Sequence, residues 1–240
     1  MSRHSKWSKV KQFKGAIDAK RSASFTKLAR EITVAVKEKG PDTIMNFRLR
    51  VAVERAKKAS MPKDSIERAI TRGAGMGGEG AIESLTYEAY GPGGTALIIE
   101  CLTDNRNRSA NDVKHILSEH GGSLAAQGSV TFQFSRKGVV RVTGSMLDAT
   151  KEVTELALID AGAEDIRTVD EGLEIMCEPS GLSMLTEAVQ HADLAVDSAE
   201  FEWIPKLQVE TDEEKGMALE ALIEELEAHD DVSRVYTNAA

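Results

Sequence analysis

Aromatic residues are scarce in this chain, 5% of the sequence beside 41% apolar residues in all. That scarcity excludes one deep, aromatic-rich core and favours small cores of Leu, Ile, Val and Ala. At 240 residues, two or three compact units are expected. Cysteine is almost missing too. Cys101 and Cys177 each lie inside an apolar, strand-like run with no CxxC pair, which excludes a disulfide framework or a cysteine metal site and suits a reducing cytoplasm. No apolar run reaches the roughly 18 residues that span a bilayer, and no charged-then-apolar signal segment opens the sequence. The basic start resembles an organelle transit peptide, but it runs straight into a helical pattern with no spacer.

Catalytic machinery is equally sparse. His4, His115, His120, His191 and His229 are scattered, and His115 and His120, five apart, do not share a helical face as an i, i+4 pair would. No nucleophile stands beside a base, and the many Asp and Glu residues suit a solvated face. Neither a catalytic nor a metal residue is therefore expected, and no cofactor, small-molecule substrate or membrane partner.

What the sequence does have is a charge partition. Residues 1–72 hold 19 Lys and Arg against 7 Asp and Glu, a net of +12, while residues 73–240 hold 11 basic and 32 acidic residues, a net of -21. The overall -9 hides a basic module that suits a polyanion, joined to an acidic body.

Within the basic module, Phe25, Leu28, Ile32 and Val36 recur at helical spacing between Asp18 and Lys39, and Gly40-Pro41 stops the helix. On a helical wheel these residues share one face, and Lys20, Lys27, Arg30 and Lys37 fall on the opposite one as a cationic stripe. A second helix is expected over 43–59 and a third from Pro62, making a small bundle. Five glycines between Gly73 and Gly80 then read as a hinge, because a phosphate loop would need a preceding strand and a following Lys-Ser or Lys-Thr.

Beyond the hinge, strands and helices alternate. Strands at 85–90 and 95–103 flank the Gly91-Pro92-Gly93-Gly94 turn. A helix follows at 109–120 with Ser109 as N-cap, and then a half-buried strand through Val130, Phe132 and Phe134. Strand 139–143, helix 146–161, strands 164–169 and 173–177, helix 181–192 and strand 198–204 run in the βαββαβ order of a ferredoxin-like unit. A strand near 207–210, a helix carrying Leu219, Leu222, Ile223 and Leu226, and a strand at 232–237 then complete a second such unit with the elements from 95 to 135. A serial arrangement would leave this tail without a sheet. The expected fold class is α+β: an N-terminal three-helix domain followed by two ferredoxin-like α/β domains, one inserted in the other. The expected divisions are a basic helical domain (1–72), a Gly-rich hinge (73–82), a ferredoxin-like domain (83–137 with 206–240) and an inserted one (138–205).

Two segments carry candidate binding chemistry. In the arm, Arg3, Lys6, Lys9, Lys11 and Lys14 precede the first acidic residue, with Trp7 and Phe13 among them. Cations interleaved with aromatics suit phosphate attraction with base stacking; the alternative is a solvated tail with Trp7 packed on the bundle. The second segment, Thr103-Asp104-Asn105-Arg106-Asn107-Arg108-Ser109, leads into a helix N-terminus, where arginines beside free amides can hold an anion. There the alternative is that Asp104 and Asn105 cap the turn and both arginines pair with the acidic body.

Several motifs taken in order resemble the YebC/PmpR family: His4-Ser5-Lys6-Trp7, Phe25-Thr-Lys-Leu28, Arg48-Leu49-Arg50, Met61-Pro62-Lys63-Asp64, Tyr90-Gly-Pro-Gly-Gly94 and Leu102-Thr-Asp-Asn-Arg-Asn-Arg108. The resemblance spans nearly the whole chain. It implies three domains, the third inserted in the second, and a cytoplasmic DNA-binding transcriptional regulator. Some members are translation factors, including mitochondrial translational activators and bacterial factors that act on ribosomes stalled at proline-rich stretches. Ser2-Arg3 replaces the usual Ala-Gly, Phe13 stands where a basic residue is common and Phe47 where proline is common. The nucleic-acid-binding set expected on these grounds is Arg3, Lys6, Trp7, Lys9, Lys11, Lys14, Lys20, Lys27, Arg30, Arg48, Arg50, Arg106 and Arg108. The expected partner is DNA or ribosomal RNA, the latter on the ribosome itself.

Overall fold

A computed structural model describes residues 18–75, 82–143, 151–169 and 172–240, with helix side chains described from Phe25 and Glu152 onward. In chain order its elements are α1 (Asp18–Lys39), α2 (Phe47–Lys58), α3 (Lys63–Gly73), β1 (Glu83–Tyr90), β2 (Ala96–Thr103), α4 (Arg106–Glu119), β3 (Ser123–Leu124) and β4 (Phe134–Thr143). They continue as α5 (Lys151–Asp160), β5 (Ala163–Val169), β6 (Gly172–Cys177), α6 (Leu182–His191), β7 (Ala195–Pro205), α7 (Glu213–Ala228) and β8 (Val232–Thr237). The class is α+β, with helices first and two four-stranded sheets after them. Two compact units result, residues 1–134 with 205–240, and residues 135–204.

The three N-terminal helices form because their apolar residues meet. Leu28, Ile32, Ala35 and Val36 of α1 pack against Leu49, Ala52, Val53 and Ala56 of α2 and against Met61, Ile66 and Ala69. Gly40, at φ +86°, ends α1 by donating its N–H to the Val36 carbonyl at 2.7 Å, the left-handed stop that glycine takes without strain.

In the first sheet the order is β3-β1-β2-β8. β1 and β2 form an antiparallel hairpin with Tyr87 opposite Ile99, and β8 pairs antiparallel with the other edge of β2. Leu97, Ile99 and Cys101 meet Val113, Ile116 and Leu117 of α4 and Leu219, Leu222, Ile223 and Leu226 of α7. On the other face Leu102 packs with Val34 of α1 and Ile82. β2 is covered on both sides, which explains why Ala-Leu-Ile-Ile-Glu-Cys-Leu-Thr reads as an almost unbroken apolar run.

The second sheet has the order β5-β6-β4-β7, built from β4, α5, β5, β6, α6 and β7 in sequence. That is the split βαβ arrangement expected for the inner unit.

Three expectations are corrected. Residues 130–134 are not one strand: Thr131–Gln133 form a 3-10 turn, Val130 and Phe134 are buried, and Phe132 is 66% exposed. The reason is Glu88, a buried carboxylate in β1 that accepts the N–H groups of Gly128, Val130 and Thr131 at 2.6, 2.6 and 2.8 Å and so draws this loop out of any ladder. The segment near 207–210 makes only a single parallel bridge, Val209 to Ala239; β1 and β3 take the places in the sheet expected for these two segments. Helix 109–120 starts earlier, at Arg106, with Asn105 rather than Ser109 as N-cap. Of the glycine-rich hinge, residues 76–81 lie outside the described residues.

Candidate nucleic-acid interface

Of the thirteen residues expected to bind nucleic acid, Arg3, Lys6, Trp7, Lys9, Lys11 and Lys14 lie outside the described residues, and Lys20 lies in α1 with its backbone alone described. The structure places the remaining six.

Lys27 and Arg30, expected as part of an outward cationic stripe, face the first sheet instead. Lys27 donates to the Glu227 carbonyl at the end of α7. Arg30 donates from Nη1 to the Asp230 carbonyl and to Oδ1 of Asp231, both at 2.6 Å. Lys37 on the same side reaches toward the Ile82 carbonyl at 3.4 Å. A helical wheel separates charged from apolar positions but carries no information about what the charged face meets, and here it meets the first sheet and the end of α7.

Asp231 is the centre of that contact. It is 2% exposed and collects four donors. Beside Arg30 on Oδ1, its Oδ2 accepts from the Ser109 hydroxyl at 2.6 Å, from Arg108 Nη2 at 3.0 Å and from the Thr103 hydroxyl at 3.1 Å. Burial raises the pKa of such a carboxyl, but the Ser109 and Arg108 hydrogen bonds, the Arg30 charge and Thr103 outweigh it and hold Asp231 down at about 2. The backbone repeats the contact, since Leu102 donates its N–H to the Asp231 carbonyl at 2.8 Å. Next to it His229 accepts the Asp231 N–H on Nδ1 at 3.1 Å and sits 3.2 Å through Nε2 from Asp112 of α4. An Nδ1 that accepts requires the tautomer protonated on Nε2, which donates to Asp112.

Arg108 is thus committed to Asp231, and also to Asp104 at 2.9 Å. Arg106 lies 3.4 Å from Glu83 and is largely exposed. The amide of Arg108 is taken by the Asn105 side chain at 3.1 Å. The loop therefore adopts the capped, carboxylate-paired alternative at both arginines, Arg108 on Asp231 and Asp104 and Arg106 on Glu83, with Arg106 the more exposed of the two.

In the helical module Arg48 reaches both carboxylate oxygens of Glu38 at 2.6 Å, and Arg50 lies over the Phe47 ring at 5.1 Å, a cation–π contact. Both remain half-buried at the surface. Lys39, Lys57, Lys58 and Lys63 are exposed on the same three helices. They were outside the expected set, although basic residues at outward helical positions were the signal that could have found them. Asp231 and Glu88 are not distinguishable from solvated surface acids in the sequence, because nothing in their local sequence marks either as buried.

Among the described residues no group of three His, Cys, Asp or Glu side chains is placed to hold a metal ion. No described helix is long and apolar enough to cross a membrane.

Comparison with known proteins covers almost the full length. Residues 5–76 match the domain family described as "TACO1/YebC protein N-terminal domain", and residues 82–239 match "TACO1/YebC second and third domain". The chain is 46% identical over 240 residues to a protein of Thermobifida fusca named "Probable transcriptional regulatory protein", covering all of this chain and 96% of that one. A protein of the same name from Persephonella marina is also 46% identical over 240 residues, covering 99% of this chain and 95% of the other. The crystal structure of a conserved hypothetical protein from Aquifex aeolicus superposes with a TM-score of 0.87 at 38% identity, over 98% of this chain and 97% of that one.

Proposed function

The chain belongs to the TACO1/YebC family, and from that membership we propose that it is a non-enzymatic regulator of gene expression that works by binding nucleic acid in the cytoplasm. The observation that carries the reading is the charge partition, +12 in residues 1–72 against -21 in the rest, together with the exposed Lys39, Lys57, Lys58 and Lys63 of the helical module. The name printed for the relatives, probable transcriptional regulatory protein, supports a regulator and makes DNA the first partner to test.

In this reading the arm supplies Arg3, Lys6, Lys9, Lys11 and Lys14 for phosphate and Trp7 for stacking. Lys20, Arg48, Arg50, Arg106 and the exposed lysines extend the cationic surface. Lys27, Arg30 and Arg108 act one step removed, by fixing α1 and the start of α4 around Asp231. Phosphate contacts carry no sequence information, so binding led by them has a weak sequence preference.

Affinity then falls steeply with salt. Fluorescence anisotropy with a labelled duplex DNA and a labelled structured RNA between 50 and 200 mM salt should show a loss of about 10³ or more if six or more phosphates are contacted. A flat response with both probes refutes the phosphate mechanism.

The same chemistry suits ribosomal RNA. The exposed Lys57, Lys58, Lys63 and Arg68 of α2 and α3 favour keeping this second reading, since they can engage the phosphates of an RNA helix as readily as those of DNA. Sucrose-gradient sedimentation of cell extract separates the two, because a DNA regulator stays out of the ribosomal fractions.

A further inference from the structure

The loop between α1 and α2 exposes two large apolar side chains side by side, Ile44 at 80% and Met45 at 79%. Exposed apolar residues are common singly, but this pair stands on a loop that is bound from beneath. Asn46 directly after it is fully buried. Its side-chain nitrogen donates to the Ala35 carbonyl at 2.7 Å and the Gly40 carbonyl at 2.8 Å, and its oxygen accepts the Leu49 N–H at 3.1 Å. Asp42 accepts the Ile44 N–H on its carboxylate at 2.8 Å, and its carbonyl accepts the Asn46 N–H at 2.8 Å. Every one of these bonds holds the backbone in place, and none turns Ile44 or Met45 inward.

The surroundings decide what such a tip meets. Lys37 turns away toward the Ile82 carbonyl and Arg48 pairs with Glu38, while Asp42 is held by the loop backbone; Lys39, exposed before the tip, and Arg50, half-buried after it, are then the cations that flank it along the chain. An apolar tip flanked along the chain by cations complements a polyanion that has apolar planes within reach of its phosphates, which describes a nucleic acid with an unstacked base step. We infer that Ile44 and Met45 form a wedge that enters an opened base step while the flanking cations hold the phosphates. The inference rests on the nucleic-acid reading above and adds to it a means of recognition: the protein selects sites where bases are already unstacked, because there the cost of opening the step is absent.

The test uses the full chain and the variant Ile44→Ser/Met45→Ser. Both side chains are exposed, so the variant should keep its circular dichroism spectrum and urea midpoint. Three probes are compared by anisotropy: a fully paired 20-base-pair duplex DNA, the same duplex with a one-base bulge, and an RNA hairpin of matching stem with the same bulge. The wild-type protein should prefer each bulged probe by about a hundredfold, the scale of one unstacking step, and the variant should lose most of that preference. The slope of log affinity against log salt should not change, since no phosphate contact is removed. A 2-aminopurine beside the bulge should brighten with wild type and not with the variant. Equal binding of paired and bulged probes by the wild-type protein, or an undiminished bulge preference in the variant, overturns the wedge and leaves the phosphate reading standing. Failure of the wild-type protein to bind any probe overturns both.

Discussion

Replacing Asp231 by asparagine should loosen the helical domain from the first sheet, and the size of the effect can be worked from the geometry. Asn is nearly isosteric and still accepts from the Ser109 and Thr103 hydroxyls, but it no longer carries the charge that faces Arg30 at 2.6 Å and Arg108 at 3.0 Å. The native carboxyl titrates at about 2 against an ordinary 3.8, a difference equivalent to about 2 kcal/mol in favour of the folded protein. Asp231→Ala should cost more, about 3–5 kcal/mol, because Arg30 then loses its counter-charge in a largely buried position and the two hydroxyls lose their acceptor.

The sign with pH follows from the lowered value. The charge contributes fully above the ordinary carboxyl range, shrinks as pH falls below 3.8 and is lost as pH falls through about 2, where the native carboxyl becomes protonated as well. Urea denaturation followed by circular dichroism at pH 7, 4 and 3 should therefore show a gap between wild type and Asp231→Asn that closes toward low pH. Native-state hydrogen exchange should show lost protection in α1, β2 and β8, and unchanged protection in α6 of the second unit. A variant within about 0.5 kcal/mol of wild type at pH 7, the scatter of ordinary surface substitutions, would refute the account of Asp231 as the pairing centre.

Glu88→Gln tests the second buried carboxylate. Burial pushes the Glu88 carboxyl up, but three backbone N–H groups, from Gly128, Thr131 and Val130, more than offset it and hold it below the ordinary carboxylate range. A glutamine amide turns an NH2 toward one of those donors, so about 2 kcal/mol of stability should be lost, with faster exchange of the Gly128, Val130 and Thr131 amides; unchanged exchange there would be inconsistent with the clamp. Burial raises the Cys101 thiol to about 12 and the Cys177 thiol to about 11, so both stay protonated at pH 8 and should react with Ellman's reagent only as the protein unfolds. Stoichiometric labelling of the native protein within minutes would contradict their burial.

The arrangement around Asp231 bears on function as well as stability. Arg30, Arg108 and Lys27 are directed at partners within the chain, so α1 is braced against β2 and the end of α7, and under the proposed function any nucleic acid would meet it in that state. Ordering cost at that face is thereby lowered before binding. Lys57, Lys58, Lys63 and Arg68 remain outward on α2 and α3.

Whatever depends on neighbours a few residues apart is legible in the chain before it folds. The period of Leu28, Ile32 and Val36 specified the inner face of α1, Gly40 its end, and the alternation of strands and helices from 139 to 204 the topology of the inner unit. The charge partition was equally legible, because it is a sum over residues. Tertiary structure alone decided which cations are spent. Arg30 and Asp231 are 201 positions apart, and no local pattern marks Asp231, a surface acid by composition, as the buried acceptor of four donors. Glu88 likewise governs a loop some forty residues away, removing the strand that the alternation of Val130, Phe132 and Phe134 predicted. Local periodicity reports which face of an element is apolar; only the assembled fold states what the polar face opposes.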